Sequence, residues 1–174
     1  MFFTSDTDRT ASLHRCCPQL FSYHTVLYIG ARSERFDYGE EFKAANYKIT
    51  ILEAFHDNVL YLNQLPWIAN VLEGDIRTYN FSSTYDVVFW WHGPEHIYDN
   101  ELESTVHKIE CIATKLVVLG CPWGIFLQGS AYGNPFENHV AYLDYEIFER
   151  LGYTVECLGQ KDAYGSNITS VKML

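Results

Sequence analysis

The stretch Thr25-Val-Leu-Tyr-Ile-Gly30-Ala31-Arg32 decides the fold. Its apolar residues Val26, Leu27 and Ile29 follow no helical period, and the run is too short for a buried helix. It therefore predicts a fully buried β-strand that ends in a tight turn at Gly30. In open α/β folds, such turns lie at the carboxyl edge of a parallel sheet, where these folds bind ligands. The sequence thus predicts a ligand site at this turn.

Six more strand-like segments follow, and helical patterns separate most of them. The predicted strands are Lys48–Glu53, Ala69–Asp75, Tyr85–Trp91, Lys115–Gly120, Tyr153–Leu158 and Ile168–Leu174. Alternation of strands and helices with short connections predicts a parallel sheet covered by helices on both faces. The turn signal between the last two strands predicts an antiparallel pair at the edge. We therefore expect an α/β fold: three-layer, doubly wound, with a mostly parallel seven-stranded sheet and an antiparallel C-terminal strand.

The 174 residues suit one domain, 1–174, in which residues 1–22 form a lead-in that packs on the rest. We expect the lead-in to be irregular apart from a short helix within Asp8–Leu20. The formal net charge of −10 disfavours direct binding to nucleic acid, because an acidic surface repels the phosphate backbone. We expect a monomer or homodimer.

The five cysteines indicate a reduced compartment, because their number is odd and none forms a Cys-x-x-Cys pair. The start of the chain has neither a basic region nor a long apolar run, so we expect no signal peptide, no membrane span and a cytoplasmic protein. A zinc site formed by His14, Cys16, Cys17 and His24 was considered, but their spacing fits no common structural-zinc pattern. We predict no metal.

Three residues expected to contact the ligand lie where predicted strands end: Gly30, Glu53 and Asp75. Glu53 follows Gly30 by 23 residues, close to the roughly 20-residue spacing between a glycine turn and a ribose-binding acid. A carboxylate there can accept hydrogen bonds from both ribose hydroxyls. Asp75 is expected within reach of an adenine edge. The alternative is that Glu53 is a solvated residue at a strand end.

The residues after Gly30 bear on which nucleotide binds. Arg32 and Glu34 occupy the second and third positions of a G-x-G-x-G turn, whereas a pyrophosphate needs glycines there so that the backbone can approach its oxygens. S-adenosylmethionine has ribose and adenine but no phosphate, and its carboxylate can pair with Arg32. The sequence therefore favours S-adenosylmethionine and leaves an NAD-dependent oxidoreductase as a distant alternative.

The chain resembles the class I S-adenosylmethionine-dependent methyltransferases over roughly residues 25 to 174. Segments that look like the family's motifs occur in the family's order: Thr25–Gly30, Ile51–Glu53, Glu73–Ile76, Asp86–His96, Asn138–Val140 and Phe148–Val155. The resemblance implies a seven-stranded sheet whose last strand is inserted antiparallel, and S-adenosyl-L-methionine as the cofactor. It also implies a set of cofactor-binding residues: Gly30, Ala31, Arg32, Glu53, Ala54, Asp75, Ile76, Trp91 and His92.

Methyl transfer from a sulfonium is an in-line displacement that mainly requires alignment of the nucleophile, methyl group and sulfur. A general base is needed only when the acceptor loses a proton early, and the candidates are His92, His96 and His139. His92 follows the fourth strand directly and is expected nearest the methyl group. Next to Glu95, His96 is alternatively a structural residue at a helix start. His139 lies at the end of a long loop on the acceptor side.

Two functions remain open from the sequence. The first is a methyltransferase that acts on an unidentified small-molecule acceptor. The second is a degenerate protein that binds S-adenosylmethionine weakly or not at all and acts through a partner. Tyr28 favours the second, because it stands where the family usually has an acid that helps to hold the methionine ammonium.

Overall fold

The computed structural model describes residues 1–32 and 36–174, and within them the strands form one eight-stranded sheet. The strands are β1 Phe2–Thr4, β2 Thr25–Ile29, β3 Lys48–Glu53, β4 Asn70–Glu73, β5 Tyr85–Trp91, β6 Ala113–Cys121, β7 Thr154–Leu158 and β8 Asn167–Met173. The α-helices are α1 Arg9–Cys16, α2 Gly39–Ala44, α3 His56–Leu62, α4 Asp99–Ile112 and α5 Tyr145–Arg150. Short 3-10 helices span Leu20–Ser22, Pro94–His96 and Pro135–Glu137.

The order of strands across the sheet is β1-β7-β8-β6-β5-β2-β3-β4. β8 is antiparallel to both of its neighbours, and the other neighbouring strands are parallel. The predicted three-layer, mostly parallel fold is confirmed. The prediction of an antiparallel edge from the turn signal was wrong, because β8 is inserted between β6 and β7, as the family resemblance implied.

The sheet has one strand more than the predicted seven, and the extra strand comes from the lead-in. Residues of β1 pair in parallel with Glu156, Cys157 and Leu158 of β7. This pairing depends on a partner more than 150 positions away, so local pattern gave no signal for it. The short helix expected in the lead-in is α1, which the Asp8 side chain caps by accepting a hydrogen bond from the backbone N–H of Ala11.

A buried carboxylate fastens the lead-in to the sheet. Glu156 of β7 is 5% exposed and accepts hydrogen bonds from the Ser12 hydroxyl at 2.5 Å and from Arg15 Nε at 2.9 Å. Both donors lie on α1, so the helix is held against β7. This contact fixes the position of the first helical residue, Arg9.

Alternate residues of the central strands enter two different cores, one on each face of the sheet. Leu27 and Trp90 pack in one core with apolar residues of α4 and α5. Tyr28 and Trp91 pack in the other core with apolar residues of α1, α2 and α3. Trp90 and Trp91 therefore point to opposite faces, as their adjacency predicts.

The helices α4 and α5 begin in different ways. The N-cap residue of α4 is Tyr98, whose side chain makes no capping hydrogen bond. Asp144 caps α5, since its carboxylate accepts a hydrogen bond from the backbone N–H of Tyr145. No helix within residues 1–32 and 36–174 is long and apolar enough to cross a membrane.

Gly120 makes room for Trp91, its register partner across the β5–β6 pair. A Cβ at position 120 would stand 2.2 Å from Cε3 of the Trp91 ring, so Gly120→Ala would overpack the core. We expect this substitution to lower the free energy of unfolding by about 1–3 kcal/mol, measured by urea denaturation. Gly129→Ala is the control, because the nearest atom to an added Cβ there lies 4.0 Å away. Equal losses in the two variants would contradict this account.

Candidate cofactor and acceptor site

Two adjoining hollows open at the carboxyl edge of the sheet, with volumes of about 380 Å³ and about 90 Å³. The large hollow is lined by polar residues that include Arg9, Asp37, Glu95, Gln128 and His139. The small hollow is lined by residues that follow β3 and β4, including Glu53, Ala54, Asp75 and Ile76. Gly30, His92, His96 and Glu137 line both hollows. The two hollows therefore form one continuous site.

Glu53 places a buried carboxylate in the small hollow. Glu53 is 5% exposed, and its Oε1 accepts a hydrogen bond from the backbone N–H of Phe55 at 2.8 Å. Burial raises the pKa of Glu53 to about 7, although the hydrogen bond from Phe55 opposes this shift. The alternative that Glu53 is a solvated strand-end residue is wrong, because its side chain is removed from water.

Asp75 lines the small hollow, but Arg77 already occupies its carboxylate. Arg77 Nε lies 3.0 Å from both carboxylate oxygens of Asp75, and Arg77 Nη1 also binds Glu101 at 3.0 Å. Burial alone would raise the pKa of Asp75, but the hydrogen bonds from Arg77 outweigh burial and lower it. Asp75 thus lines the small hollow next to Ile76, with part of its hydrogen-bonding capacity used.

The turn after β2 contributes Gly30 and Arg32 but not Ala31. Gly30 has φ +77° and its backbone N–H donates to the carbonyl of Leu52, so the turn is fixed against β3. Arg32 Nη1 lies 3.3 Å from Glu137 Oε2. Ala31 is fully buried in the core and lines neither hollow. Glu34, the other predicted departure from the glycine pattern, lies outside the described residues.

His92 sits between a guanidinium and a carboxylate at the end of β5. Its Nε2 lies 2.9 Å from Arg9 Nη1, and its Nδ1 lies 3.3 Å from Glu95 Oε1. Because a guanidinium only donates, Nε2 accepts from Arg9 and Nδ1 carries the proton that is donated to Glu95. The lone pair that a general base would use is therefore engaged by Arg9. Trp91, the residue before it, is buried and lines the large hollow.

His96 and His139 have a different hydrogen-bonding pattern. His96 Nδ1 lies 3.0 Å from the carbonyl oxygen of Asn138, and His139 Nδ1 lies 2.7 Å from that of Phe126. Each Nδ1 therefore carries a proton, and each neutral ring keeps a lone pair on Nε2. Burial lowers the pKa of His139, which favours this neutral form. The two ring centroids are 5.1 Å apart.

The sequence did not predict all of the residues around the site. Arg9 arrives from α1, and only the long-range docking of the lead-in brings it to His92. Glu95 was interpreted as a structural neighbour of His96, yet it lines the large hollow at 2% exposure. The long loop after β6 supplies Glu137 and His139. His139 was among the predicted general bases, whereas nothing in the sequence distinguished Glu137 in advance.

The fold has close structural counterparts, although no protein-family model and no curated protein matches the sequence. The N-terminal domain of EvdMO1 with SAH bound aligns with a TM-score of 0.65 at 16% identity, over 96% of this chain and 80% of that one. The N-methyltransferase NodS from Bradyrhizobium japonicum WM9, in complex with S-adenosyl-L-homocysteine (SAH), gives 0.66 at 13% identity, over 95% and 85%. The magnesium protoporphyrin IX methyltransferase ChlM from Synechocystis PCC 6803, with bound SAH, gives 0.66 at 10% identity, over 96% and 81%.

This chain has the class I methyltransferase fold. At these identities the likeness establishes the architecture alone, and it confirms the fold that the sequence predicted. The class I methyltransferase fold accounts for the position of the hollows at the carboxyl edge, whereas their chemistry depends on the residues of this chain.

The buried carboxylate of Glu53 should cost stability at high pH. Burial raises its pKa in the folded state to about 7, above the ordinary value of 4.5 for a glutamate, so the fold favours the protonated form. The stability that this protonation provides is present below pH 4.5 and is lost as the pH rises through 7. We expect Glu53→Gln to raise the free energy of unfolding by about 1–3 kcal/mol near pH 8, measured by urea denaturation, with little effect near pH 4.

Glu73→Gln is the matched control, because Glu73 is the register partner of Glu53 on β4 but is exposed. We expect its effect to stay within about 0.5 kcal/mol at both pH values. A stabilisation by Glu53→Gln that did not change with pH would contradict a carboxyl group that titrates near neutrality.

Proposed function

We propose that this protein transfers the methyl group of S-adenosylmethionine to a small acceptor. The observation that carries the proposal is the continuity of the two hollows at Gly30, with the Glu53 carboxylate on one side and the imidazoles of His96 and His139 on the other. A cofactor bound across this junction would hold its nucleoside in the small hollow and direct its methyl group into the large one. Solved structures of the same fold that contain SAH or S-adenosylmethionine support this assignment.

Glu53 would accept hydrogen bonds from the ribose hydroxyls, and Ala54, Asp75 and Ile76 would surround the adenine. The small hollow measures about 90 Å³, which is less than the roughly 300–1,000 Å³ of most ligand pockets. The 3-10 helix Pro135–Glu137 forms one wall through Phe136 and Glu137. Binding would therefore move this helix outward, as expected for a wall that is built from a loop.

The methionine end of the cofactor would lie among charged residues of the large hollow. Its carboxylate would bind Arg32, which must then exchange Glu137 for the ligand. Its ammonium would lie near Asp37, which lines the same hollow and would supply the acid that Tyr28 does not. Trp91 and His92 would line the path to the sulfonium. These assignments place opposite charges against both ends of the amino-acid group.

The acceptor would be small and polar, because the large hollow has a volume of about 380 Å³ and is lined by His, Arg, Asp, Glu and Gln side chains. Proton removal from it falls to His96 or His139, which keep a lone pair, rather than to His92, whose lone pair faces Arg9. We further propose a cytoplasmic location, which the five free thiols of this chain support.

A second candidate function is that of a binding protein that acts through a partner. The observations that favour it are the Arg32–Glu137 ion pair and the Arg9–His92 hydrogen bond, which occupy groups that a cofactor or acceptor would use. The first function requires the Arg32–Glu137 ion pair to open when the cofactor binds and leaves the Arg9–His92 hydrogen bond in place, whereas the second requires neither contact to open.

We expect S-adenosylmethionine and SAH to bind with micromolar dissociation constants, measured by isothermal titration calorimetry. Glu53→Ala should weaken both about tenfold or more, because it removes charge-assisted hydrogen bonds to the ribose. Glu73→Ala, on the neighbouring strand, should not weaken binding.

In the unmodified protein, the affinity for S-adenosylmethionine and SAH should rise between about pH 6 and pH 8 as Glu53 ionises, and Glu53→Gln should remove that pH dependence. Equal affinities for the Glu53→Ala variant and the unmodified protein would refute the site.

Incubation with methyl-labelled S-adenosylmethionine and fractionated metabolite extracts separates the two functions. Transfer of label to a small molecule, abolished by Glu53→Ala and retained by Glu73→Ala, is expected of the enzyme. Tight cofactor binding without transfer to any fraction would favour the binding protein.

A further inference from the structure

Glu95, His96 and His139 form a cluster with the composition of a metal site. One ligand atom from each, a carboxylate oxygen or a ring nitrogen, lies within 4.8 Å of the others. All three residues line the large hollow. We propose that this cluster binds a single divalent ion of the zinc type, with its open coordination position facing the large hollow.

The hydrogen bonds around the two histidines are those that a metal ligand needs. Ligating histidines usually donate their second ring N–H to a carbonyl or carboxylate, which fixes the tautomer and the ring orientation. Here His96 donates to the carbonyl of Asn138 and His139 donates to that of Phe126. In both rings the nitrogen left over is Nε2, and it carries a lone pair.

Glu95 supplies the independent observation. It is 2% exposed, and among residues 1–32 and 36–174 its Oε2 has no hydrogen-bond partner, while Oε1 accepts from His92. A buried carboxylate oxygen without a partner is costly. A cation bound at Oε2 would remove that cost, and His92 would then hold the carboxylate in place through Oε1.

The backbone joins the three ligands into one unit. The carbonyl of Glu95 accepts hydrogen bonds from the N–H groups of Val140 and Ala141, which follow His139 directly. The 3-10 helix that carries His96 and the loop that carries His139 are therefore fixed to each other. Such support keeps a set of ligands near its binding geometry without the ion.

The donor set indicates the kind of metal. Two imidazoles and one carboxylate suit a borderline ion such as Zn²⁺, with bonds of about 2.0–2.2 Å and a fourth position left for water or substrate. Tetrahedral coordination requires ligand atoms about 3.4 Å apart, so the cluster would contract on binding. His139 Nε2 lies 4.0 Å from the other oxygen of the carboxylate, Glu95 Oε1, so the carboxylate would rotate to bring Oε2 to the ion.

The inference deepens the proposed function and rests on it for the role of the ion. With His96 and His139 bound to the ion through Nε2, neither ring acts as the general base. An acceptor hydroxyl at the open position would instead lose its proton to solvent, because the cation stabilises the alkoxide. The alkoxide oxygen would then form a bond to the methyl carbon while the carbon–sulfur bond breaks. The bonding pair returns to sulfur, and the sulfonium becomes a neutral thioether.

Metal binding to the full chain tests the inference directly. After treatment with a chelator, the protein is titrated with Zn²⁺ and with Co²⁺, whose visible absorption reports four- or five-coordinate binding. We expect one equivalent to bind with submicromolar affinity. His96→Gln and His139→Gln should each weaken binding about 100-fold or more and alter the Co²⁺ spectrum. Glu95→Gln should act similarly, and because the residue is buried its folding is checked by thermal unfolding.

His107→Gln is the matched control, because His107 also lies near two carboxylates, Glu103 and Glu110, but is exposed on α4. It should leave both the affinity and the spectrum unchanged. Failure to bind one equivalent, or affinity unaffected by both His96→Gln and His139→Gln, would overturn the metal site. SAH calorimetry on the His139→Gln variant keeps the two proposals apart. His139 lines the large hollow but not the small one, so loss of the metal site there leaves the Glu53-dependent binding of SAH intact.

Discussion

Glu95 connects the two parts of the site through its backbone and its side chain. Its carbonyl accepts two hydrogen bonds from the loop after β6, and its carboxylate accepts one from His92 at the end of β5. The loop would otherwise be a long surface segment with few constraints on its conformation. Because Glu95 ties it to the carboxyl edge of the sheet, the loop can supply a wall of each hollow. Together with the hydrogen bond from His96 to the carbonyl of Asn138, Glu95 fixes the position of His139 relative to His96.

Three glutamates are buried within residues 1–32 and 36–174. Glu53 and Glu95 lie in the hollows, and Glu156 lies under α1. Glu156 is satisfied by Ser12 and Arg15 and serves the fold. Among the described residues, Glu95 retains an oxygen, Oε2, without a hydrogen-bond partner, which a stable fold without a ligand does not require. A buried polar group without a partner lowers the stability of the fold, and ligands are expected to bind at such places.

The architecture followed from the sequence because local patterns determine it. The buried run before Gly30 and the carboxylate at Glu53 came from strand-like patterns and a known spacing, and both lie where they were predicted. The lead-in strand and Arg9 could not be predicted, because they depend on pairing with β7 and on docking of α1. Ala31 does not line the site because it is buried in the core. The direction of a side chain at a tight turn cannot be deduced from sequence spacing.

The insertion of β8 has a consequence for how the protein is made. The last strand of the chain joins β6 to β7, and β7 in turn carries β1. During synthesis, β1 therefore has no sheet strand to join until β7 has left the ribosome, and domains rich in such distant pairings fold slowly. Arg9 and Ser166, more than 150 positions apart in the sequence, line the same hollow. A nascent chain therefore cannot complete this binding site before Ser166 has been added.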